Sequence, residues 1–175
     1  MRRTLLLLLT AALLSGCGSS GDDSATFEEE GFDITFEYPE EMKEASNVTI
    51  ASGAGSAAKA TAGIGYDKRD VIIVQRYDLN RVVDEDNLDR VKSELDRLVA
   101  EISPRAGAGE AGTTSGFPSI DYPGLAVRAI ENAESRLVAL FDGDVEYLIN
   151  CQSTPERRAD VEKACEQVLK TVERR

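Results

Sequence analysis

Residues 31–39 read Gly-Phe-Asp-Ile-Thr-Phe-Glu-Tyr-Pro, and this stretch is the clearest strand signal in the chain. Apolar and polar side chains alternate along it, the apolar ones being Phe32, Ile34, Phe36 and Tyr38. A period of two puts alternate side chains on opposite faces, which is typical of a half-buried β-strand. Pro39 has no amide hydrogen to donate, so we expect the strand to end there.

Further strands are expected on both sides of a helical region. Ala57–Tyr66 and Val71–Asp78 predict a hairpin across Asp67–Asp70, and the doubly apolar run at 71–74 indicates a central strand. In the second half we expect antiparallel strands at 117–121, 124–132, 136–142 and 145–152, with turns at 132–135 and 142–144. Residues 47–50 are a short-strand candidate, and the glycine-rich residues 105–116 are expected to form a mobile loop.

Two amphipathic helices are expected, at roughly residues 86–103 and 154–173. The first has Asp84 or Asp86 at its start and Pro104 at its end, and its apolar stripe is Leu88, Val91, Leu95, Leu98, Val99 and Ile102. The second starts with a Ser153-to-Glu156 capping box, and its predicted buried face is Val161, Ala164, Cys165, Val168, Leu169 and Val172. The order strands, helix, strands, helix predicts an α+β fold, an antiparallel sheet packed by helices on its faces.

Composition excludes several classes of function. The formal net charge of the 175 residues is −12, and such an acidic surface repels nucleic acid. The chain contains no histidine, which removes the commonest general base and the usual ligand of zinc and copper. We therefore expect neither an enzyme nor a bound metal or cofactor.

The N-terminus carries a targeting signal. Arg2 and Arg3 precede an apolar segment at 5–14, and Leu14-Ser15-Gly16-Cys17 follows. This pattern resembles a bacterial lipobox. The resemblance implies that residues 1–16 are a removed signal peptide and that Cys17 carries a diacylglycerol and an acyl chain such as palmitate. It also implies an extracytoplasmic protein that is lipid-anchored to the cell membrane. The alternatives are an ordinary signal peptide or a single membrane anchor, but ten apolar residues are too few to span a bilayer.

Removing residues 1–16 takes away two basic residues and no acidic one, so the mature chain has 18 basic and 32 acidic side chains and a charge of −14. Residues 17–30 are small, polar and acidic, and are expected to form a lipid-attached flexible tether before a domain at 31–175. Cys151 and Cys165 remain, and in an oxidising envelope they predict a disulfide. The bridge closes a loop of about 15 residues, worth about 3 kcal/mol. The alternative is two buried free thiols.

The element order, the strand 31–39 ending in Tyr-Pro, and the strand Val145–Cys151 before a last amphipathic helix resemble a known group. This is the PsbP-like α/β/α sandwich, shared by a lumenal photosystem II subunit and by actinobacterial envelope lipoproteins of the LpqN/LpqT type. The resemblance implies a non-enzymatic domain that binds another envelope protein. An alternative is a carrier or sensor for a small molecule or lipid, held in a groove between sheet and helix.

Candidate binding residues are few. Arg76 and Arg128 lie on predicted strands among apolar neighbours, where they either pair with acidic side chains across the sheet or line a groove for a carboxylate or phosphate. Glu131 and Glu134 are a possible acid/base pair beside a predicted turn. The acidic clusters at 28–30, 40–41, 84–86 and 142–144 lack the spacing of a calcium loop, so we interpret them as caps and solvated surface.

Overall fold

The alternating stretch at the start of the sequence does form a strand, within an α+β domain of two sheets and two helices. The computed structural model describes residues 23–45, 58–104, 106–126 and 132–175. Its strands are β1 (Ser24–Phe27), β2 (Ile34–Pro39), β3 (Lys43–Glu44), β4 (Ala60–Gly65), β5 (Val71–Val83), β6 (Glu110–Thr114), β7 (Phe117–Ala126), β8 (Glu134–Ser153) and β9 (Glu173–Arg174). The helices are α1 (Leu88–Ile102) and α2 (Arg158–Thr171).

The larger sheet has the order β3-β4-β5-β8-β7-β6, and the described strand pairs are antiparallel. The predicted β4–β5 hairpin is confirmed, with Ala60 opposite Arg76 and Gly65 opposite Val71. β5 lies between β4 and β8 as its doubly apolar start predicts, because a central strand is covered on both faces.

The element β8 folds back on itself and occupies two neighbouring places in the sheet. Its first half pairs with β7 and its second half with β5. The Ser135 hydroxyl hydrogen-bonds the side-chain oxygen of Asn150, fifteen residues further on. An extended strand would separate these residues by about 50 Å, so the chain must reverse between them. Gly143, with φ of 63°, lies midway, which agrees with the predicted turn at 142–144.

The smaller sheet, β1-β2-β9, includes residues that the sequence predicted to belong to the flexible tether. Ser24–Phe27 pairs with β2, and Phe27 is buried with its ring stacked 4.4 Å from that of Phe36. Part of the segment 17–30 therefore belongs to the folded domain. Phe27 is the only apolar side chain larger than alanine in this acidic stretch, so no periodicity marks the strand in the sequence.

The two faces of the larger sheet carry separate hydrophobic cores. On one face, α2 and the smaller sheet pack against Val138, Leu140, Tyr147 and Ile149. On the other face, α1 packs with Leu137, Ala139 and Leu148 among others. The predicted sheet with helices on both faces is therefore confirmed.

The ends of helix α1 agree closely with the prediction, but not all of its predicted apolar stripe is buried. Asp84 accepts a hydrogen bond from the backbone N–H of Asn87, the residue before the helix, whereas Asp86 has no such role among the described contacts. Leu98 and Ile102 belong to the predicted apolar stripe but are about half exposed, at 47% and 49%. Within the described ranges, neither helix has both the length and the apolar character that a membrane span requires.

Two further expectations were wrong. Glu110–Thr114 is not a loop but the outermost strand of the larger sheet, paired along its length with β7. Helix α2 begins at Arg158 rather than at 154, and its N-cap is Arg157 instead of the predicted Ser153. Thr154, just before the helix, is held by the buried carboxylate of Asp70. The short strand expected at 47–50 lies outside the described residues.

Candidate functional site

A groove of about 450 Å³ lies between the larger sheet and α2. Strands β7 and β8 supply one wall and α2 supplies the other. This is the location that the sequence predicts for a site between sheet and helix.

Arg136 on β8 organises the groove. Its guanidinium donates to the carboxylate of Asp121 on β7, with Nη2 2.6 Å from Oδ2 and Nε 3.1 Å from Oδ1. Nη1 also hydrogen-bonds Glu166 on α2. The hydrogen bond to Arg136 holds the pKa of Glu166 below its usual range, and the bonds to Asp121 and Glu166 raise the pKa of Arg136 itself. One side chain thus fixes two strands and a helix through charge-assisted hydrogen bonds.

The two cysteines predicted to form a disulfide lie at the same groove. Their sulfur atoms are 2.08 Å apart, at disulfide-bond distance, and their Cα atoms are 6.0 Å apart. Cys151 comes from the end of β8 and Cys165 from the middle of α2, and both are buried. The pair thus ties the two walls together.

The groove has a strong excess of negative charge. Its lining includes one arginine, Arg136, and the five carboxylates Glu110, Asp121, Glu134, Glu162 and Glu166. Arg158 pairs with Glu134 at 3.2 Å, which leaves the net charge negative. Among the described residues, no three cysteine, aspartate or glutamate side chains converge in a way that could hold a metal ion. The groove can instead attract organic cations or basic side chains.

Arg76, a predicted binding residue, does not line this groove. It is paired with Asp33 at 3.5 Å and with Asp78 at 3.4 Å, and its side chain is 23% exposed. The structure therefore agrees with the interpretation that Arg76 pairs with acidic side chains. Arg128 and Glu131 lie outside the described residues, so the Glu131–Glu134 pair remains a prediction.

Two carboxylates that sequence reasoning missed lie within the fold, Asp70 buried and Glu146 half-buried. Asp70 is 1% exposed and accepts hydrogen bonds from the backbone N–H and the hydroxyl of Thr154, at 2.6 and 3.0 Å. Burial raises the pKa of Glu146, which lies opposite Tyr77 in the sheet, to about 7. No sequence pattern predicts either position, because the partners of each carboxylate are distant in the sequence and become neighbours only in the folded sheet.

Solved structures show what the fold is similar to. The cyanobacterial PsbP protein CyanoP from Synechocystis sp. PCC 6803 superposes with a TM-score of 0.57 at 12% identity, over 93% of this chain and 99% of that one. The Ran-binding protein Mog1p of Saccharomyces cerevisiae reaches a TM-score of 0.46 at 15% identity, over 87% of this chain and 96% of that one. No protein-family model and no curated protein matches the chain. The similarity to CyanoP shows a PsbP-like fold.

Proposed function

We propose that this chain is a non-enzymatic cell-envelope lipoprotein, anchored outside the cytoplasmic membrane through Cys17. Its sandwich domain binds another envelope protein. The observation that carries the proposal is Leu14-Ser15-Gly16-Cys17, placed directly after a basic start and a short apolar segment. Lipid at Cys17 accounts for membrane attachment without a spanning helix, because two or more acyl chains hold a protein firmly.

The character of the groove supports binding rather than catalysis. Its central arginine is held by two carboxylates, and the absence of histidine from the sequence removes the commonest proton-transfer group. A partner that offers a basic segment is complementary to the surplus carboxylates of Glu110 and Glu162. The interaction is then steered by charge and weakened by salt.

The first test is a mass spectrum of intact protein extracted from membranes. We expect the mass of residues 17–175 plus a diacylglycerol, with a gain of two hydrogen masses on reduction of the cysteine pair. An uncleaved chain, or one without lipid, would contradict the anchor.

The second test is cross-linking in intact cells, followed by capture of the lipoprotein. We expect an envelope protein to be captured by the wild type and lost from the double variant Glu110→Lys/Glu162→Lys. The matched control Glu28→Lys/Glu30→Lys makes the same charge change on exposed residues of the β1–β2 connection. Equal capture by all three proteins would show that the groove is not the binding surface.

A carrier of a small organic cation is the second candidate function. A groove of about 450 Å³ falls within the range of small-molecule sites, and it lies between sheet and helix as that hypothesis requires. Native mass spectrometry of the protein purified from its own cells is expected to show a bound ligand that the Glu110→Lys/Glu162→Lys variant lacks. A ligand-free spectrum for the wild type would eliminate this candidate.

A further inference from the structure

The distance between the anchor and the folded domain is short. The first described residue, Asp23, is already tied into the fold, because its carbonyl accepts a hydrogen bond from the backbone N–H of Glu40 at 3.0 Å. Only six residue steps separate Cys17 from Asp23. Six residues span at most about 22 Å even when fully extended. A domain of this size has a radius of gyration of about 15 Å and is therefore nearly 40 Å across.

The N-terminal end of the described domain, at Asp23, lies at one identifiable end of the fold. A cavity of about 500 Å³ brings Asp23 together with Glu41, Tyr66 and Asp160. Arg157 lies over the Tyr66 ring, 5.0 Å from its centre, and Gln152 donates to the carbonyl of Arg69. The β4–β5 turn and the beginning of α2 therefore share this end with the start of the chain.

We call this surface the anchor end. Its exposed charged side chains are Asp23, Glu40, Glu41, Lys43, Asp67, Lys68, Arg69, Glu156, Arg157, Asp160 and Lys163. These are six acidic and five basic residues, a net charge of −1, whereas the whole chain carries −12. The anchor end is thus nearly neutral on a strongly acidic protein, with Lys68 and Arg69 exposed in its β4–β5 turn.

We propose that the anchor end docks against anionic lipid headgroups. This inference rests on the proposed lipid anchor at Cys17. The short tether keeps the opposite end of the domain away from the membrane, because its reach is shorter than the domain is wide. Charge favours the same orientation: Lys68 and Arg69 are attracted to the headgroups, whereas Arg157 is paired with Asp160 at 3.1 Å, and the acidic remainder of the domain is repelled. The membrane then orients the domain.

In the test, the chain is attached covalently to lipid vesicles through Cys17, the proposed lipidation site. With Cys151 and Cys165 oxidised, Cys17 is the remaining one of three cysteines and couples to a maleimide phospholipid in vesicles. Hydrogen exchange is compared on phosphatidylcholine vesicles with and without phosphatidylglycerol. We expect slower exchange at residues 66–70 and 154–163 on the anionic vesicles only, and loss of this protection in high salt.

The variant Lys68→Glu/Arg69→Glu is expected to lose the protection. Each basic residue near an anionic surface is worth about fivefold in binding, so reversing two lowers the equilibrium constant for docking at least about 25-fold. The matched control Arg90→Glu/Arg97→Glu changes the same charge on exposed residues of α1 and is expected to keep the protection. The proposal would be overturned if anionic vesicles protected other parts of the domain or no part of it. It would also be overturned if both variants lost the protection equally.

This experiment is independent of cellular lipidation. A native protein without lipid at Cys17 contradicts the anchor whatever the vesicles show. A lipidated native protein, combined with vesicles that show no protection at the anchor end, contradicts only the docking.

Discussion

Replacing Asp70 with alanine is expected to lower the free energy of unfolding by about 3 kcal/mol. The carboxylate is buried and accepts from both the backbone N–H and the hydroxyl of Thr154, which is itself only 2% exposed. Removing the carboxylate leaves two buried donors unsatisfied, and charge-assisted hydrogen bonds contribute about 1.5–3 kcal/mol each.

The contact matters for the fold because it joins residues 84 positions apart. It connects the β4–β5 turn to the segment that leads into α2. Thr154→Val removes the hydroxyl but keeps the backbone donor, so it should cost about 1 kcal/mol. In the double variant Asp70→Ala/Thr154→Val, the loss should be smaller than the sum of the two single losses, because the two residues share one interaction.

Urea denaturation at neutral pH, followed by circular dichroism, measures these differences. Asp144→Asn is the control, an acid-to-amide change on an exposed residue, and should stay within about 0.5 kcal/mol of the wild type. A loss below about 1 kcal/mol for Asp70→Ala, or strictly additive losses in the double variant, would refute the reasoning.

Three further predictions concern the disulfide, the groove and the half-buried Glu146. The variant Cys151→Ala/Cys165→Ala should unfold at lower urea, with a loss of about 3 kcal/mol from the closed loop, and equal midpoints would contradict this. In the variant Arg136→Gln, the melting temperature should fall less than in the wild type as the pH is lowered. The lowered pKa of Glu166 stabilises the fold above its unfolded pKa, and this stability is lost as pH falls through the folded value. A melting-temperature series from pH 3 to 7 checks this. Glu146, with its pKa raised to about 7, should do the reverse and cost stability as pH rises from about 4.5 to 7. Glu146→Gln should therefore melt higher than the wild type at pH 8 and equally at pH 4.5, and a difference independent of pH would contradict the assignment.

Local patterns predicted much of the fold because they reflect local physics. The β4–β5 hairpin, the turn at Gly143 and the buried face of α2 follow from alternation, turn chemistry and helical spacing. These signals need only neighbouring residues, so they can be interpreted without the rest of the chain.

Prediction was wrong where distant residues decide the local structure. β6 is largely exposed and glycine-containing, and it is a strand because β7 offers it a ladder of hydrogen bonds. The predicted capping box at Ser153 does not start α2, which begins at Arg158, after Thr154 has been tied to the distant Asp70. In α1, Leu98 lies on the helical stripe yet remains exposed, since periodicity does not show how far the sheet extends beneath the helix.

The candidate site was only partly predictable for the same reason. The sequence paired Cys151 with Cys165, and their sulfur atoms lie at disulfide-bond distance. A groove between sheet and helix was part of the alternative carrier hypothesis only, and a groove is present there. It did not indicate Arg136, whose partners lie 15 and 30 residues away on another strand and on a helix. Arg76 was chosen because it is a cation on an apolar strand, but its Nη2 is paired with the acidic side chains of Asp33 and Asp78.

By itself, the sequence determined the order of elements, their periodic faces, the excess of negative charge and the lipobox-like start. These properties depend on residue type and on spacing over a few positions. Only the tertiary structure decided that Ser24–Phe27 is part of the domain, that Asp23 lies beside the β4–β5 turn, and that five carboxylates line the groove that contains Arg136. Such positions depend on which strands pair and in which register. The pairing and the register are in turn determined by which apolar side chains they bury in the two cores.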